Sequence, residues 1–387
     1  MNREELLEIS MLKRVICIPD SFKGTLTSSQ IIQVTQTIFD KHNPGIEVIG
    51  IEVADGGEGT VDAFLSISGG QKITCQVCGP HFEKIESFYG ILPNQIAVIE
   101  MAACAGLPLV KDHPNPLITT TYGVGELMIS AYNQGCRNMI IGLGGSSTND
   151  GGCGAAVALG VKFYDETNQE FIPTGGTLRN IRMIDISNIH PLIRESNIIT
   201  MCDIDNPMFG ESGAAYVFGP QKGADHEMVK ELDQGLRNLS ERIKIDLDKN
   251  VSNIPGAGAA GGMGGGMVAF FNSTLQSGIE TILDIAKFDE LIQGCDLIIT
   301  GEGRIDSQTL RGKVPVGVSR RAKKLSIPVL CVVGSIGEEI DEVYNHGITS
   351  IISINNQPVD FSISKLKALE NLSTTMDNLV RLLNISK

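Results

Sequence analysis

Carboxylate side chains follow apolar runs at three places in this chain of 387 residues. The acids are Asp20, Asp55, Glu58, Glu302 and Asp306, each within six residues of the end of such a run. Two cations, Lys23 and Arg304, lie among them. Carboxylates can hold Mg²⁺ or accept a proton from an attacking hydroxyl group, and a cation can balance a transferring phosphate. The set therefore fits phosphoryl transfer, although each acid alone also fits a helix cap or a turn.

A glycine-rich stretch follows the apolar run 139–141 and holds six glycines between Gly142 and Gly154. Glycine allows the backbone to approach a ligand closely, and three neighbouring hydroxyl groups can donate hydrogen bonds. If residues 154–159 form a helix, its free N–H groups would point at the same place and could bind an anion. A plain turn capped by Asn149 or Asp150 is the alternative. The density of small and hydroxyl residues favours an anion. The candidate ligand contacts are Gly144, Gly145, Ser146, Ser147 and Thr148.

Three further places could contribute groups. Asp203 and Asp205 follow the apolar run 198–202, and an extended chain would turn both carboxylates to one side, where they suit a metal ion or a base. An Asx turn leading into a proline is the alternative. Lys222 lies in a tight turn and fits a phosphate contact or a plain loop equally well. The stretch 256–266 contains seven glycines and suits close approach to a ligand or a hinge between domains.

The apolar runs also predict the elements that position these groups. Continuous runs near both chain ends predict about five parallel strands with helices between them, as in a doubly wound, flavodoxin-like sheet. One helix is predicted over residues 25–39, capped by Thr27 or Ser28. Ligands bind outside the carboxyl ends of such strands, and we expect the segments 301–306 and 334–335 to be turns at those ends.

The middle of the chain has a different pattern. Shorter alternating runs between residues 72 and 101 predict antiparallel strands. The sequence therefore predicts two α/β domains. Residues 1–75 and 285–387 form a discontinuous parallel-sheet domain, and residues 76–284 form an inserted mixed α/β domain that carries the glycine-rich phosphate loops.

Composition excludes several classes of function. The formal net charge of −14 would repel a nucleic acid backbone or an anionic membrane, so neither is expected as a partner. Nine cysteines lie mostly in apolar strings, as expected of buried thiols in a reducing cytoplasm. Cys75 and Cys78 lack a second pair at zinc-finger spacing. The span 251–279 is too weakly hydrophobic to cross a membrane. We expect a cytoplasmic protein.

Seven sequence blocks, in the same order along the chain, resemble those of the bacterial glycerate kinases. They are Pro19-Asp-Ser-Phe-Lys-Gly24, Asp55-Gly-Gly-Glu-Gly-Thr60, Gly142-Leu-Gly-Gly-Ser-Ser-Thr-Asn-Asp-Gly-Gly152, Asp203-Ile-Asp-Asn-Pro207, Gly219-Pro-Gln-Lys-Gly223, Gly258-Ala-Ala-Gly-Gly-Met263 and Thr300-Gly-Glu-Gly-Arg-Ile-Asp306. The resemblance implies phosphorylation of D-glycerate by ATP with Mg²⁺, at the 2-hydroxyl group. It also implies two α/β domains with the active site in the cleft between them. The segment before Lys13 is the one visible departure.

Roles within the resemblance are assigned as hypotheses. The glycine stretches, with Gly261 and Gly262 in the second, would bind the nucleotide phosphates. Asp203, Asp205 or Asp306 would serve as metal ligand or base, with Glu302 as a further metal ligand. Lys23 or Arg304 would bind the carboxylate of glycerate or the transferring phosphate. The remaining substrate contacts would be Asp20, Ser21, Asp55 and Glu58. The chain is expected to be a monomer or a homodimer.

Two other functions stay open on sequence alone. The segment 256–261 matches the dinucleotide fingerprint, with Glu280 at a suitable distance, so a dehydrogenase of a small 2-hydroxy acid is an alternative. The segment before it, 246–255, is polar and ends in proline, whereas the fingerprint requires a strand there. A noncatalytic sensor of sugar acids would bind glycerate without turnover, and the many acids in the loops argue against it.

Overall fold

The computed structural model describes residues 12–54 and 56–384. They divide into two compact units. Residues 12–54 and 279–384 form the terminal unit, and residues 56–278 form the central unit. The compact units divide near residue 55 and at residues 278/279, and domain boundaries at residues 75/76 and 284/285, as the sequence predicts, stay a proposal.

The terminal unit contains a sheet of five parallel strands, which confirms the predicted doubly wound fold. Its strands are β1 (Arg14–Pro19), β2 (Glu47–Gly50), β12 (Leu297–Ile305), β13 (Val329–Ile336) and β14 (Ser350–Ser353), with elements numbered along the whole chain. Their order is β14-β13-β12-β1-β2, and every neighbouring pair is parallel. This is the flavodoxin-like order, in which the direction of winding reverses between β1 and β12.

Helices connect these strands. They are α1 (Ser28–His42), α10 (Gly278–Ile285), α11 (Phe288–Leu291), α12 (Val314–Lys323), α13 (Asp341–Asn345), α14 (Phe361–Ser364) and α15 (Ala368–Leu383). Thr27 caps α1, as predicted, by accepting a hydrogen bond from the backbone N–H of Gln30. Helix α1 begins and ends three residues later than the predicted range 25–39. Its apolar face packs with α15 against alternate residues of β1, which include Val15 and Cys17.

The segment 301–306 differs from its prediction as a turn, because β12 continues to Ile305. Beyond β1, the strand is still paired with β13, where Arg304 lies opposite Ser335. The residues 334–335, also expected in a turn, belong to β13 for the same reason. Gly301 permits the pairing, since a methyl group there would lie 1.9 Å from the carbonyl oxygen of Val332. The glycines that suggested a turn instead allow close strand packing.

Arg321 of α12 forms ion pairs with α10 and α11, the helices that follow the central unit in the sequence. Its guanidinium is largely buried and lies 2.6 Å from carboxylate oxygens of both Glu280 and Asp284, and 3.7 Å from Asp289. Because these carboxylates come from α10 and α11, one side chain fixes both helices against α12.

Replacing Arg321 by methionine is expected to lower the free energy of unfolding of the terminal unit by about 1 to 2 kcal/mol. The partly exposed carboxylates limit the loss, because water can solvate them once the guanidinium is gone. Urea unfolding followed by circular dichroism measures the change. Arg320→Met is the matched control, since Arg320 lies on the same helix and its guanidinium donates to the ring of His346 at the protein surface. Equal effects of both variants would refute the anchoring role.

The central unit contains a six-stranded mixed sheet and a small three-stranded sheet. The first is built from β3 (Gln71–Cys78), β4 (Lys84–Leu92), β5 (Ile96–Glu100), β6 (Asn138–Gly142), β10 (Asn197–Met201) and β11 (Thr274–Gln276), in the order β11-β10-β6-β5-β4-β3. The second is built from β7 (Lys162–Tyr164), β8 (Glu170–Phe171) and β9 (Met183–Asp185). The antiparallel pairs β3–β4 and β4–β5 confirm the pattern predicted for residues 72–101. From β5 to β11 the strands are parallel.

The helices of the central unit pack around these sheets. They are α2 (Thr60–Ser68), α3 (Ala102–Ala105), α4 (Tyr122–Asn133), α5 (Cys153–Ala158), α6 (Leu192–Glu195), α7 (Ala214–Phe218), α8 (His226–Leu247) and α9 (Ala259–Phe271). The second glycine stretch is thus partly helical. Ala260, Gly261 and Gly262 have positive φ angles and make a left-handed turn inside the first part of α9.

No helix in the described part of the chain is both long and apolar enough to span a bilayer. All nine cysteines are free thiols. Burial raises the pKa of Cys17 to about 12 and that of Cys78 to about 11, so these thiols stay protonated near neutral pH.

Candidate active site

The first group of candidate residues lies in the terminal unit, at the carboxyl ends of β1 and β12. These adjacent strands flank the point where the winding of the sheet reverses, the usual ligand position in such folds. The backbone N–H of Asp20 donates to the carbonyl of Gly301 at 2.8 Å, which joins the end of β1 to β12. The Asp20 carboxylate accepts a hydrogen bond from the N–H of Ser21 at 2.7 Å. Both residues are half-buried.

Glu302 is buried beside Asp20 and has both carboxylate oxygens engaged. Thr309 donates to one oxygen at 2.6 Å, and the ammonium of Lys313 lies 3.3 Å from the other. Burial raises the pKa of Glu302, and the nearby charge of Asp20 adds to the effect, whereas Thr309 and Lys313 lower it. Because both of its oxygens are engaged, this carboxylate is better suited to holding Thr309 and Lys313 in place than to binding a metal ion directly.

Asp306 begins the turn that follows β12. Its backbone N–H donates to the hydroxyl of Thr309 at 3.1 Å, and the N–H of Thr309 donates back to the carbonyl of Asp306 at 3.0 Å. Thr309 therefore links the turn to Glu302. The exposed guanidinium of Arg304 lies 3.3 Å from the Asp306 carboxylate. The structure thus brings Asp20, Glu302, Arg304 and Asp306 to one end of the sheet.

Lys23 lies in the loop after β1 and is exposed. This loop runs close to β12 at Gly303. A methyl group at Gly303 would lie 3.4 Å from the Cα of Phe22 and 3.5 Å from the backbone nitrogen of Lys23. Lys23 is consequently carried on the same strand-end loop as Asp20.

The second group lies in the central unit, at the carboxyl ends of its parallel strands. The glycine loop, residues 142–152, follows β6, and the segment 203–207 follows the neighbouring strand β10. The loop is packed tightly on residues 56–58, because Gly144 donates to the carbonyl of Gly56 at 2.9 Å. Glu58 is exposed, and its carboxylate lies over Gly145. Asp55 lies outside the described residues.

The N-terminus of α5 is not an open anion site, contrary to the expectation for a helix after the glycine loop. The carboxylate of Asp150 accepts hydrogen bonds from the N–H groups of Gly152 and Gly154, at 3.0 and 3.2 Å. It also accepts from the N–H and the hydroxyl of Thr121, both at 2.8 Å. Asp150 is fully buried, and burial raises its pKa while the bonds from Thr121 lower it. The helix end is closed by Asp150, much as in the alternative of a capped turn, although the N-cap residue is Gly152 and neither Asn149 nor Asp150.

The three hydroxyl residues of the loop have different surroundings. Ser147 donates its hydroxyl hydrogen to the carbonyl of Ala105 at 2.9 Å, so this side chain holds the loop in shape. Ser146 accepts a hydrogen bond from the ammonium of Lys222 at 2.8 Å, and Lys222 also donates to the carbonyl of Thr148 at 2.6 Å. Burial lowers the pKa of Lys222 to about 7, and the charge of Asp150 opposes that effect.

Two side chains beside these contacts have buried polar atoms without a hydrogen-bond partner among the described residues. They are the hydroxyl of Thr148 and both ends of the carboxamide of Asn149. Both side chains are completely buried. Unpaired buried polar atoms are costly, and they indicate a bound water molecule or a ligand group.

The second glycine stretch packs on the first. The N–H of Gly151 donates to the carbonyl of Gly261 at 3.1 Å. A methyl group at Gly261 would lie 2.1 Å from the carbonyl oxygen of Thr148 and 2.5 Å from the Cα of Asn149. At Gly262 a methyl group would meet the side chain of Leu236 at 2.6 Å. Gly261 therefore lets the backbone of the second stretch approach that of the glycine loop, and Gly262 leaves room for the side chain of Leu236.

Asp203 and Asp205 are both exposed, with the less exposed Ile204 between them. Asp203 accepts a hydrogen bond from the N–H of Gly278 at 2.8 Å. Their segment lies against the second glycine stretch, where Gly258 donates to the carbonyl of Asn206 at 3.0 Å. The two carboxylates thus lie at the same edge of the sheet as the glycine loop.

Among the described residues, no group of three or more His, Cys, Asp or Glu side chains could hold a metal ion alone. Mg²⁺ does not need such a group, because it is usually bound by one or two carboxylates, water and the phosphates of a nucleotide. The pair Asp203 and Asp205 is exposed and can supply carboxylates for that mode, whereas Glu302 is buried.

Several groups at the site carry no clear signal in the sequence. Thr309 and Lys313 are missed by sequence reasoning, because a threonine and a lysine after a strand are not distinctive. The sequence suggests Asn149 only as a helix cap. Lys222 fits two alternatives on sequence alone, yet it lies in one of the seven blocks that resemble the glycerate kinases, and that signal could have selected it.

Three comparisons bear on the family. A family model described as the glycerate kinase family matches residues 15–384. Glycerate kinase from Bacillus cereus is 44% identical over 375 residues, covering 96% of this chain and 98% of the relative. Glycerate 2-kinase from Escherichia coli K12 is 43% identical, covering 88% of this chain and 90% of the relative. A crystal structure assigned as glycerate kinase 2 from Salmonella typhimurium LT2 has a TM-score of 0.83 at 36% identity and covers 97% of this chain and 99% of that one.

The dinucleotide-binding alternative lacks its structural context, since the residues 248–255 before the fingerprint form no strand. The match to the family model, the identity to curated relatives and the shared fold agree over nearly the whole length of the sequence. The chain belongs to the glycerate kinase family.

Proposed function

We propose that this protein transfers the γ-phosphoryl group of ATP to the 2-hydroxyl group of D-glycerate, releasing ADP, with Mg²⁺ bound to the nucleotide. The observation that carries the proposal is the gathering of Asp20, Glu302, Arg304 and Asp306 at the point where the winding of the terminal sheet reverses. At that position Arg304 can bind the carboxylate of a small acceptor, and an acid can accept the proton of its hydroxyl group. The name of the Escherichia coli relative, glycerate 2-kinase, supports position 2.

In the terminal unit, we assign Asp306 as the base that accepts the proton of the attacking hydroxyl group. Arg304 lies beside it, and Lys23 is on the neighbouring loop, so one of the two would bind the carboxylate of glycerate and the other the transferring phosphate. Asp20 and Ser21 would bind the hydroxyl groups of the substrate. Glu302 would hold the backbone of Asp306 in position through Thr309, whose hydroxyl group donates to Glu302 and accepts from the N–H of Asp306.

In the central unit, we assign the glycine loop to the phosphates of the nucleotide. Gly144 and Gly145 are its partly exposed residues, and Ser146 and Thr148 supply hydroxyl groups. Gly261 and Gly262 support the loop by close packing. Asp203 and Asp205 would hold Mg²⁺, which neutralises phosphate charge when bound. Asp55 and Glu58 complete the proposed set of substrate contacts.

A coupled assay of ADP release tests the proposed function. Purified protein with ATP, Mg²⁺ and D-glycerate is expected to release ADP, and L-glycerate serves as the control. Phosphorus NMR of the product distinguishes 2-phosphoglycerate from 3-phosphoglycerate. Absence of ADP release from the folded protein would refute the kinase assignment for glycerate, and a 3-phosphoglycerate product would refute the assigned position.

We also propose that the reaction takes place in the cytoplasm. The net charge of −14 supports a small-molecule substrate and not a nucleic acid partner. A monomer or a homodimer is proposed, and light scattering of the purified protein distinguishes them.

A further inference from the structure

We infer that Lys222 is a positioning residue, which orients the hydroxyl group of Ser146 so that its hydrogen points at a phosphate of the bound nucleotide. The inference rests on the proposed nucleotide site in the glycine loop. Lys222 lies 76 residues after Ser146 in the sequence. Lys222 does not itself touch the nucleotide in this arrangement.

The hydrogen bonds of the Ser146 hydroxyl group support this orientation. A serine hydroxyl has one hydrogen to donate and two lone pairs, whereas an ammonium group can only donate. In its ammonium form Lys222 donates to Ser146, so one lone pair is occupied and the serine hydrogen must be directed elsewhere. Among the described residues, no acceptor for that hydrogen is found within hydrogen-bond distance. Ser147 contrasts with it, since the hydrogen of Ser147 goes to the carbonyl of Ala105.

The charge at Lys222 also points to an anion nearby. Lys222 is 2% exposed and forms no ion pair within the ranges 12–54 and 56–384. Asp150 is close enough to affect it, but its carboxylate is occupied by Thr121 and by the backbone of residues 152 and 154. Burial lowers the pKa of Lys222 to about 7, so its ammonium form is costly without a carboxylate partner, and a phosphate bound nearby would raise that pKa and favour the ammonium form.

The glycine loop is partly exposed next to Ser146. Ser146 is 7% exposed, and the preceding residues Gly144 and Gly145 are half-buried, so the loop has an accessible edge next to the serine. The hydroxyl of Thr148, two residues away, is buried without a partner among the described residues. The loop therefore offers one oriented donor and a second polar group without a protein partner.

Calorimetric titration with ADP tests the inference in the full-length protein and in the variants Ser146→Ala, Lys222→Met and the double variant. Each single change is expected to weaken ADP binding about tenfold, by the loss of one hydrogen bond to a charged group. The double variant is expected to be no weaker than the more affected single variant, because both changes remove the same interaction. Lys230→Met is the control, since Lys230 is exposed and paired with Glu227.

Kinetics separate positioning from a general structural effect. The KM for ATP is expected to rise about tenfold in both single variants, with the KM for D-glycerate unchanged. If Lys222→Met does not fold, Ser146→Ala carries the test alone. Normal ADP affinity in Ser146→Ala, or losses that simply add in the double variant, would overturn the inference.

The outcome also distinguishes the inference from the proposed function. A wild-type protein that binds ADP but does not phosphorylate D-glycerate would refute the function, and the variants would still test the lysine. A wild-type protein that phosphorylates D-glycerate, with variants that bind ADP normally, would refute the role of Lys222 alone. Failure of the wild-type protein to bind ADP would overturn the inference.

Discussion

Asparagine in place of Asp306 is expected to lower kcat for D-glycerate by about 10²- to 10⁴-fold, because the amide cannot accept the proton of the attacking hydroxyl group. The fold is expected to survive, since asparagine has nearly the same size. The backbone bonds between residue 306 and Thr309 do not involve the carboxylate. Steady-state kinetics with D-glycerate and ATP measure the loss, and circular dichroism checks the fold.

The same variant separates two roles for Asp306. If the carboxylate is the base, the Mg²⁺ concentration for half-maximal activity stays as in the wild type, and only kcat falls. If the carboxylate binds the metal, that concentration rises. Asp40→Asn is the control, because Asp40 is an exposed residue of α1 outside the proposed site. Turnover within about threefold of the wild type would remove Asp306 from the reaction.

The centre of the terminal sheet is predictable from the sequence because β1, most of β12 and the first part of β13 are buried on both faces. Such strands have continuous apolar sequences, and the carboxyl ends of parallel strands lie at one edge of the sheet. The order of runs and acids along the chain is therefore enough to assign Asp20 and Asp306 to one end of the sheet. The length of β12 is not predictable in this way, because Gly301 and Gly303 have the composition of a turn. Only the pairing with β13 makes them part of a strand.

The interior of the glycine loop cannot be read from the sequence. Its density of glycine and hydroxyl residues suggests an open anion site, but the partners of those residues come from distant segments. Asp150 is held by Thr121, and Ser146 is bound by Lys222. Local patterns carry no information on such contacts. The sequence therefore favours an open anion site at the helix end that Asp150 occupies, and the role of the loop in nucleotide binding stays a prediction.

The glycines of the second stretch illustrate the same limit. Glycine is required wherever a side chain would clash, and the clashing atom can belong to a ligand or to the protein itself. At Gly261 the structure identifies it as protein, namely the backbone of Thr148 and Asn149. The geometry of the first glycine loop therefore depends on a residue more than one hundred positions later in the chain.

Alanine at Gly261 is accordingly expected to destabilise the central unit by about 3 kcal/mol or more. The φ angle of +65° contributes about 1 kcal/mol, and the overlap with Thr148 contributes the larger part. The atoms that would clash are backbone atoms, which cannot move aside without displacing the glycine loop. Binding of ADP should weaken as well, since the displaced segment carries Ser146 and Thr148. Urea unfolding and ADP titration measure the two effects.

Gly135→Ala is the matched control in the same unit. Gly135 also has a positive φ angle, +93°, but a methyl group there would meet only the side-chain oxygen of Gln95, at 3.8 Å. It should therefore lose only the conformational part, about 1 kcal/mol, and bind ADP normally. A Gly261→Ala variant no less stable than Gly135→Ala would mean that the glycine loop can move aside without lowering the free energy of unfolding. A Gly261→Ala variant that is destabilised yet binds ADP normally would separate the packing of the loop from nucleotide binding, and would count against the proposed site.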